Sequence, residues 1–333
     1  MHPTRRVALS GLGSIARQHA QALRRTAGTR IVAFDPSPEM REEALSRGLV
    51  DEVTTSFDAL VDGDLDALII AGPDHVHISQ LSAASLRGIP TLVEKPVAES
   101  STALTDALPS LRASAAPVLV GYVLRHRRVV ETARRMILDG EIGHPVSFQV
   151  MLGAYGTIPA AASRFATASA DRLYRDYSHE WDYLRWIFGP VGEVVATART
   201  VDHVPHVESP NLVDALLRHQ SGIVGAVHLD YVDQRGTRTL HVVGSGGTLF
   251  ADIARGTISV RRAGENLERH HDFAESPAEP LARQAAHLLE LAGDRGVTPR
   301  VGLDDGLAAL STAEALVRSA ADDRWTAVDA SAP

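Results

Sequence analysis

Apolar runs and amphipathic stretches alternate along the first 120 or so residues. Val7–Ser10 reads as a short buried strand and Ser14–Thr26 as a helix. Arg30–Phe34 is the next strand. A helix over Pro38–Arg47 follows, opened by Ser37 as N-cap with Pro38 at its first position. Glu52–Thr54, Ala67–Ala71, Thr91–Val93 and Val118–Val120 read as further strands. Phe57–Leu60, His77–Arg87 and Ser101–Ser114 read as helices, the second ended by Gly88. Strands that are apolar almost throughout, each followed by a helix, predict a doubly wound parallel sheet covered on both faces.

The pattern changes after about residue 125. His126–Leu138 is helical. Val146–Met151, Val194–His203, Leu212–His219, Ile223–Tyr231, Arg238–Val243, Thr248–Phe250 and Thr257–Arg261 read as strands, several with period-2 alternation. Pro280–Ala292 and Leu303–Ser319 close the chain as helices, before a loose tail of about ten residues. The expected fold is an α/β domain over residues 1–122 and an α+β domain over 123–333. The second is built on a largely antiparallel open sheet. Its open face must be covered by something.

A length of 333 residues fits two domains. A net charge of -8 argues against non-specific nucleic-acid binding. With 0 cysteines, disulfides and thiolate metal sites are excluded. No run of apolar residues is long enough to span a bilayer, and the apolar stretch after Arg5 and Arg6 is broken by Gly11 and Gly13. A cytoplasmic protein with neither membrane nor nucleic-acid partner is expected.

Gly11-Leu12-Gly13-Ser14-Ile15-Ala16 follows a strand and opens a helix. This is the dinucleotide fingerprint G-x-G-x-x-G/A. The first glycine permits the tight turn, and the second lets the backbone approach a pyrophosphate. The small third position allows close helix–strand packing. The pyrophosphate then sits at the helix N-terminus, against Ser14 and Ile15. Asp35 ends the second strand, where a carboxylate bonds the adenosine ribose and repels a 2′-phosphate. NAD is therefore expected rather than NADP. The alternative is an ordinary turn with a solvent-facing aspartate.

Glu94-Lys95-Pro96 sits at the C-terminal end of a predicted parallel strand, the edge at which such sheets bind ligands. A lysine there can stabilise negative charge on a substrate oxygen; a plain surface lysine is the alternative. Asp176 and His179 lie at the start of a predicted helix. A carboxylate beside a histidine can orient its ring for general-base work, although a capping Asp with a packed His has the same spacing. The loop from Gly153 to Tyr174 is expected to shape a substrate pocket. Tyr155, Arg164, Arg172 and Tyr174 lie on it, and Asp176, Glu180 and Asp182 offer carboxylates to an amino group. His75/His77 and His270/His271 are formal metal pairs, but no H-E-x-x-H is present and no metal is expected.

Several segments together resemble the Gfo/Idh/MocA family, the glucose-fructose oxidoreductase and inositol dehydrogenase group. These are the Gly11–Ala16 turn with Arg17, Gln18 and His19, then Pro73-Asp74-His75-Val76-His77, then Glu94-Lys95-Pro96. Gly121-Tyr122-Val123-Leu124-Arg125 and Glu141-Ile142-Gly143 follow at family spacing. The resemblance implies a Rossmann domain and a catalytic Lys95 with a cis Lys95–Pro96 peptide. It also implies His179 as catalytic base with Asp176 beside it, and Asp182 as the aspartate three residues on. Gly11, Gly13, Ser14, Ile15, Asp35, Pro73, His77, Glu94 and Lys95 would hold NAD. Tyr155, Arg172 and Asp182 would face a small carbohydrate-like substrate, and another subunit would cover the open sheet face in a homodimer or homotetramer. The family commonly spaces its Asp and His as D-x-x-x-H; here the spacing is D-x-x-H, and Val123 stands where many members carry Asn.

The implied reaction is oxidation of a secondary alcohol on a sugar, aminosugar (an aminoglycoside included) or cyclitol. Reduction of a ketosugar or imine would use the same residues. A non-catalytic NAD-bound sensor or repressor is the rival from another class.

Overall fold

β1 (Arg5–Ser10) carries Val7, Ala8 and Leu9 with 0% of their surface exposed, the burial that a doubly covered strand requires. The structure, a computed structural model, describes residues 5–26, 28–114, 116–156, 171–202, 204, 210–294 and 296–329. Strands β2 (Thr29–Phe34), β3 (Glu52–Thr54), β4 (Ala67–Ile70), β5 (Thr91–Val93) and β6 (Val118–Val120) join β1 in one sheet. Its order is β3-β2-β1-β4-β5-β6, and all its pairings are parallel. Helices α1 (Ser14–Arg24), α2 (Pro38–Ser46), α3 (Phe57–Val61), α4 (His77–Leu86) and α5 (Ser101–Ala113) alternate with the strands. Ser37 caps α2 by accepting from the Met40 N–H at 3.2 Å. The strand order reverses between β1 and β4. There the loops at the carboxyl ends part and leave the crevice that nucleotides occupy in such sheets.

The second sheet runs β14-β13-β12-β11-β7-β10-β9-β8-β15. Its strands are β7 (Pro145–Gly153), β8 (Val191–Arg199), β9 (Leu212–His219), β10 (Val224–Asp230), β11 (Arg238–Gly244), β12 (Gly247–Asp252), β13 (Thr257–Arg262), β14 (Arg269–Asp272) and β15 (Thr326–Ala327). It is antiparallel except where β7 and β10 run parallel. One register line, Val194–Leu217–Gly225–Phe148–Val242–Leu249–Val260, is buried or nearly so. The adjacent line includes Leu216 and Phe250, exposed at 40% and 42%. Period-2 alternation thus survives into the fold as one covered and one open face.

Helices α6 (Arg128–Leu138), α7 (Arg172–Asp176) and α8 (Ser178–Phe188) lie between β6 and β8, and α9 (Ala278–Gly293) and α10 (Leu303–Asp322) come near the end. The Phe188 ring of α8 stacks on Phe148 of β7, centroids 4.7 Å apart at 5°. Gly225 makes room for this stack, since a Cβ there would lie 2.2 Å from the Phe148 ring. A β10 glycine therefore fixes where α8 rests.

The chain divides into two units, Met1–His126 with Ser276–Leu307, and Arg127–Glu275 with Ala308–Pro333. The division at 122/123 expected from the sequence falls at His126. The segment assigned to the second domain over 276–307 belongs to the first. There the Arg5 guanidinium donates to the Leu289 carbonyl at 2.9 Å, and Arg125 pairs with Asp305 at 3.0 Å. The described part of the expected tail, up to Asp329, is also tied: β15 pairs with β8, and Arg318 pairs with Asp329 at 3.1 Å. Among the described residues, no helix is long and apolar enough to cross a membrane.

Candidate active site

Gly11 has a φ of +94°, open to glycine at little cost. A Cβ there would lie 2.9 Å from the Ala71 carbonyl and the Gly72 nitrogen. Gly13 precedes α1 without a side-chain cap, and a Cβ on it would meet nothing within 4 Å. The turn is thus closed against the segment after β4 at its first glycine and open above its second. Asp35 supports it from β2: one carboxylate oxygen accepts the Leu12 N–H at 2.8 Å and the other the Ser37 N–H at 2.9 Å.

The neighbouring loops are tied by two histidines. Glu94, 7% exposed, accepts from the Lys95 N–H at 3.1 Å and lies 2.7 Å from Nε2 of fully buried His19. Gly121 leaves space for that carboxylate, because a Cβ there would lie 2.8 Å from Oε2. His77, 1% exposed, places Nδ1 at 2.8 Å from the Pro96 carbonyl and Nε2 at 3.0 Å from the Gly72 carbonyl. The formal His75/His77 metal pair is thereby dissolved, since both ring nitrogens of His77 face backbone carbonyls. Pro73 is exposed at the start of a short 3₁₀ turn, and the Lys95–Pro96 peptide is cis.

In the second unit the expected single helix is two. α7 ends at Asp176, Tyr177 adopts ψ 23°, and α8 opens at Ser178. The break has a tertiary cause: the Tyr177 ring packs on Tyr231 with centroids 5.4 Å apart. The Tyr231 hydroxyl also donates to Asp176 at 3.0 Å. Burial, then the Asp176 charge, raises the pKa of this phenol well above its ordinary value, so it stays a donor. Half-buried His179 is the second residue of α8. Trp181 Nε1 donates to the Tyr174 carbonyl at 3.0 Å, joining α8 to α7.

Glu180 has no exposed surface and accepts Arg238 Nε at 2.9 Å and Nη2 at 3.0 Å. Burial opposes the guanidinium charge, yet the pair with Glu180 raises the Arg238 pKa above its ordinary value. Expected as a recognition carboxylate for an amino group, Glu180 is instead neutralised by Arg238 in a fork-shaped pair. Asp182 is 1% exposed, and Arg172 and Tyr155 are half-buried. Arg164 and the rest of the loop over 157–170 lie outside the described residues.

Residues 5–122 match the oxidoreductase family with an NAD-binding Rossmann fold, and residues 130–250 match the GFO/IDH/MocA C-terminal domain. The chain belongs to the GFO/IDH/MocA family. It is an NAD-dependent oxidoreductase. Inositol 2-dehydrogenase of Rhizobium meliloti (strain 1021) is 26% identical over 98% of this chain and 99% of its own. The scyllo-inositol 2-dehydrogenase (NAD(+)) of Bacillus subtilis (strain 168) is 25% identical, covering 92% and 93%. The 1,5-anhydro-D-fructose reductase of Ensifer adhaerens is 24% identical over 94% and 95%. An Agrobacterium radiobacter oxidoreductase in complex with NAD+, L-tartaric acid and magnesium shares the fold, with a TM-score of 0.88 at 20% identity over 99% and 100%.

For this GFO/IDH/MocA chain the cofactor fit rests on the open space above Gly13 and the carboxylate of Asp35. Replacing Asp35 by serine removes the charge, the bond to the turn at Leu12 and the bond to Ser37. We expect NADH to bind about tenfold more weakly and the preference over NADPH to shrink, the scale of a lost charge-assisted hydrogen bond. Fluorescence titration with the two reduced nucleotides checks it.

One signal that motif matching passes over lies in the composition. Lysine and arginine together number 33, and Lys95 alone is lysine. Everywhere else a cation is wanted, this sequence uses arginine. A surface position would have done the same, so a lone lysine points to a task that needs a compact amine.

Proposed function

We propose that the enzyme oxidises a secondary hydroxyl of a sugar or cyclitol to the ketone, with aminosugars among the candidate substrates. The observation that carries this reading is Lys95: the chain's one lysine, in the loop after β5, bracketed by Glu94 and Pro96. When bound, NAD supplies the hydride acceptor. The Lys95 ammonium donates to the substrate oxygen and offsets the negative charge that grows there. The His179 imidazole takes the hydroxyl proton on a ring nitrogen, and Asp176, held by Tyr231, supports that end of α8. Pro73, Ser14 and Ile15 are assigned to NAD, and Tyr155, Arg172 and Asp182 to the substrate. The protein works as a cytoplasmic homodimer or homotetramer, for which the exposed Met151, Leu216 and Phe250 on the second sheet provide an apolar face.

The names of the relatives make inositols the first compounds to try. Incubation with NAD and a panel of inositols, aldoses, anhydrosugars and aminosugars is expected to build the NADH absorbance band with at least one of them. The reductase relative supports running the panel in reverse with NADH and ketosugars. Silence in both directions, alongside firm NADH binding, would leave the sensor reading in its place.

A further inference from the structure

The loops after β4 and β5 are neighbours, because their strands pair in parallel. Each would otherwise end in an unrestrained carbonyl at the crevice. The His77 ring stands between them. Nδ1 faces the Pro96 oxygen at 2.8 Å and Nε2 the Gly72 oxygen at 3.0 Å. A carbonyl oxygen only accepts, and a neutral imidazole carries one N–H, so the ring holds both carbonyls at once only with a proton on each nitrogen. The ring is 1% exposed, and both of its polar atoms are spent on the backbone.

Lys95 lies between two such restraints. On its N-terminal side the Glu94 carboxylate accepts its own N–H, and His19 steadies that carboxylate. On its C-terminal side the His77 Nδ1 bond fixes the peptide plane after Pro96. The Nε2 bond ties the same ring to Gly72, the residue whose nitrogen abuts the Gly11 turn. A shift of the lysine loop against the glycine turn must break one of the two bonds.

We propose that His77 is a positioning residue, a two-sided clamp that sets Lys95 relative to the glycine turn, rather than a ligand of the cofactor. The effect on turnover rests on the dehydrogenase reading above; the effect on Lys95 itself does not. Asparagine carries its amide nitrogen at the place of Nδ1 and glutamine at the place of Nε2. His77→Asn therefore keeps a donor for Pro96 and His77→Gln keeps one for Gly72. His77→Phe keeps neither.

Because Lys95 is the only lysine, an amine-acylating reagent labels one side chain. The chain's α-amino group serves as the internal reference in the same mass spectrum. In His77→Asn, His77→Gln and His77→Phe we expect the labelling rate of Lys95, relative to the α-amine, to change severalfold. We expect kcat on the substrate found by the panel to fall about 10²-fold, the scale of a misplacement near 1 Å, with NADH affinity held within about threefold. Parent-like labelling and turnover in either the Asn or the Gln variant, neither of which depends on His77→Phe folding, would overturn the clamp. So would unchanged Lys95 labelling, or a loss located in NADH affinity. If the parent enzyme turns over no compound, the labelling ratios still uphold or overturn the clamp, and only the dehydrogenase reading fails.

Discussion

Replacing Lys95 by arginine is expected to lower kcat about 10²–10³-fold, the usual cost of removing one donor from a developing oxyanion. NADH binding is expected to stay within about tenfold, since the change alters the donor and leaves the nucleotide turn alone. Charge is conserved in this substitution, so electrostatic attraction alone cannot explain a loss. What changes is shape: a compact ammonium with three rotatable donors becomes a planar, longer guanidinium that cannot give up its proton. The loop leaves little freedom to adapt, because Glu94 and His77 hold it on either side. Steady-state kinetics and a nucleotide titration on the same preparation decide it. Near-native turnover would return Lys95 to the status of a surface residue, despite its being the single lysine of the chain.

Removing the His179 imidazole by His179→Ala is expected to cost about 10²–10⁴-fold in kcat, the range for a positioned general base. KM should move little, because a proton acceptor is needed in the transition state more than in the bound substrate. The scaffold around it is expected to survive. Glu180–Arg238, the Trp181–Tyr174 bond and the Phe188–Phe148 stack hold α8 without using position 179. Thermal melts unchanged beside a collapsed kcat would separate chemistry from folding. Near-native turnover would instead reassign the base.

How far these residues could be read from sequence depends on the range of the interactions that set them. Gly11, Gly13 and the strand and helix around them follow from local spacing, and Asp35 from its place at the end of β2. The break at Tyr177 does not, because its cause is a ring contact with Tyr231, far along the chain. The parallel pairing of β7 with β10 is hidden for the same reason: alternation tells which face a residue takes, not which strand lies beside it. β14 is short and polar, Arg269–Asp272, and carries no apolar alternation to detect. Glu180 looked like a recognition carboxylate because its partner, Arg238, comes from another element of the fold. His77 and His19 are visible as letters, while their roles come from carbonyl and carboxylate partners that only the folded chain supplies.

The return of residues 276–307 to the first unit bears on how this chain comes to fold. Arg5, near the start, is bonded to Leu289 on α9, and α1 packs along that helix. During synthesis the nucleotide unit lacks one of its walls until residues 276–307 have left the ribosome. Closing it means bringing together segments nearly the full length of the sequence apart, the kind of contact that slows folding. A nascent fragment stopping before α9 therefore presents an apolar flank of α1 to the cell, where chaperones act on exposed surface of that kind.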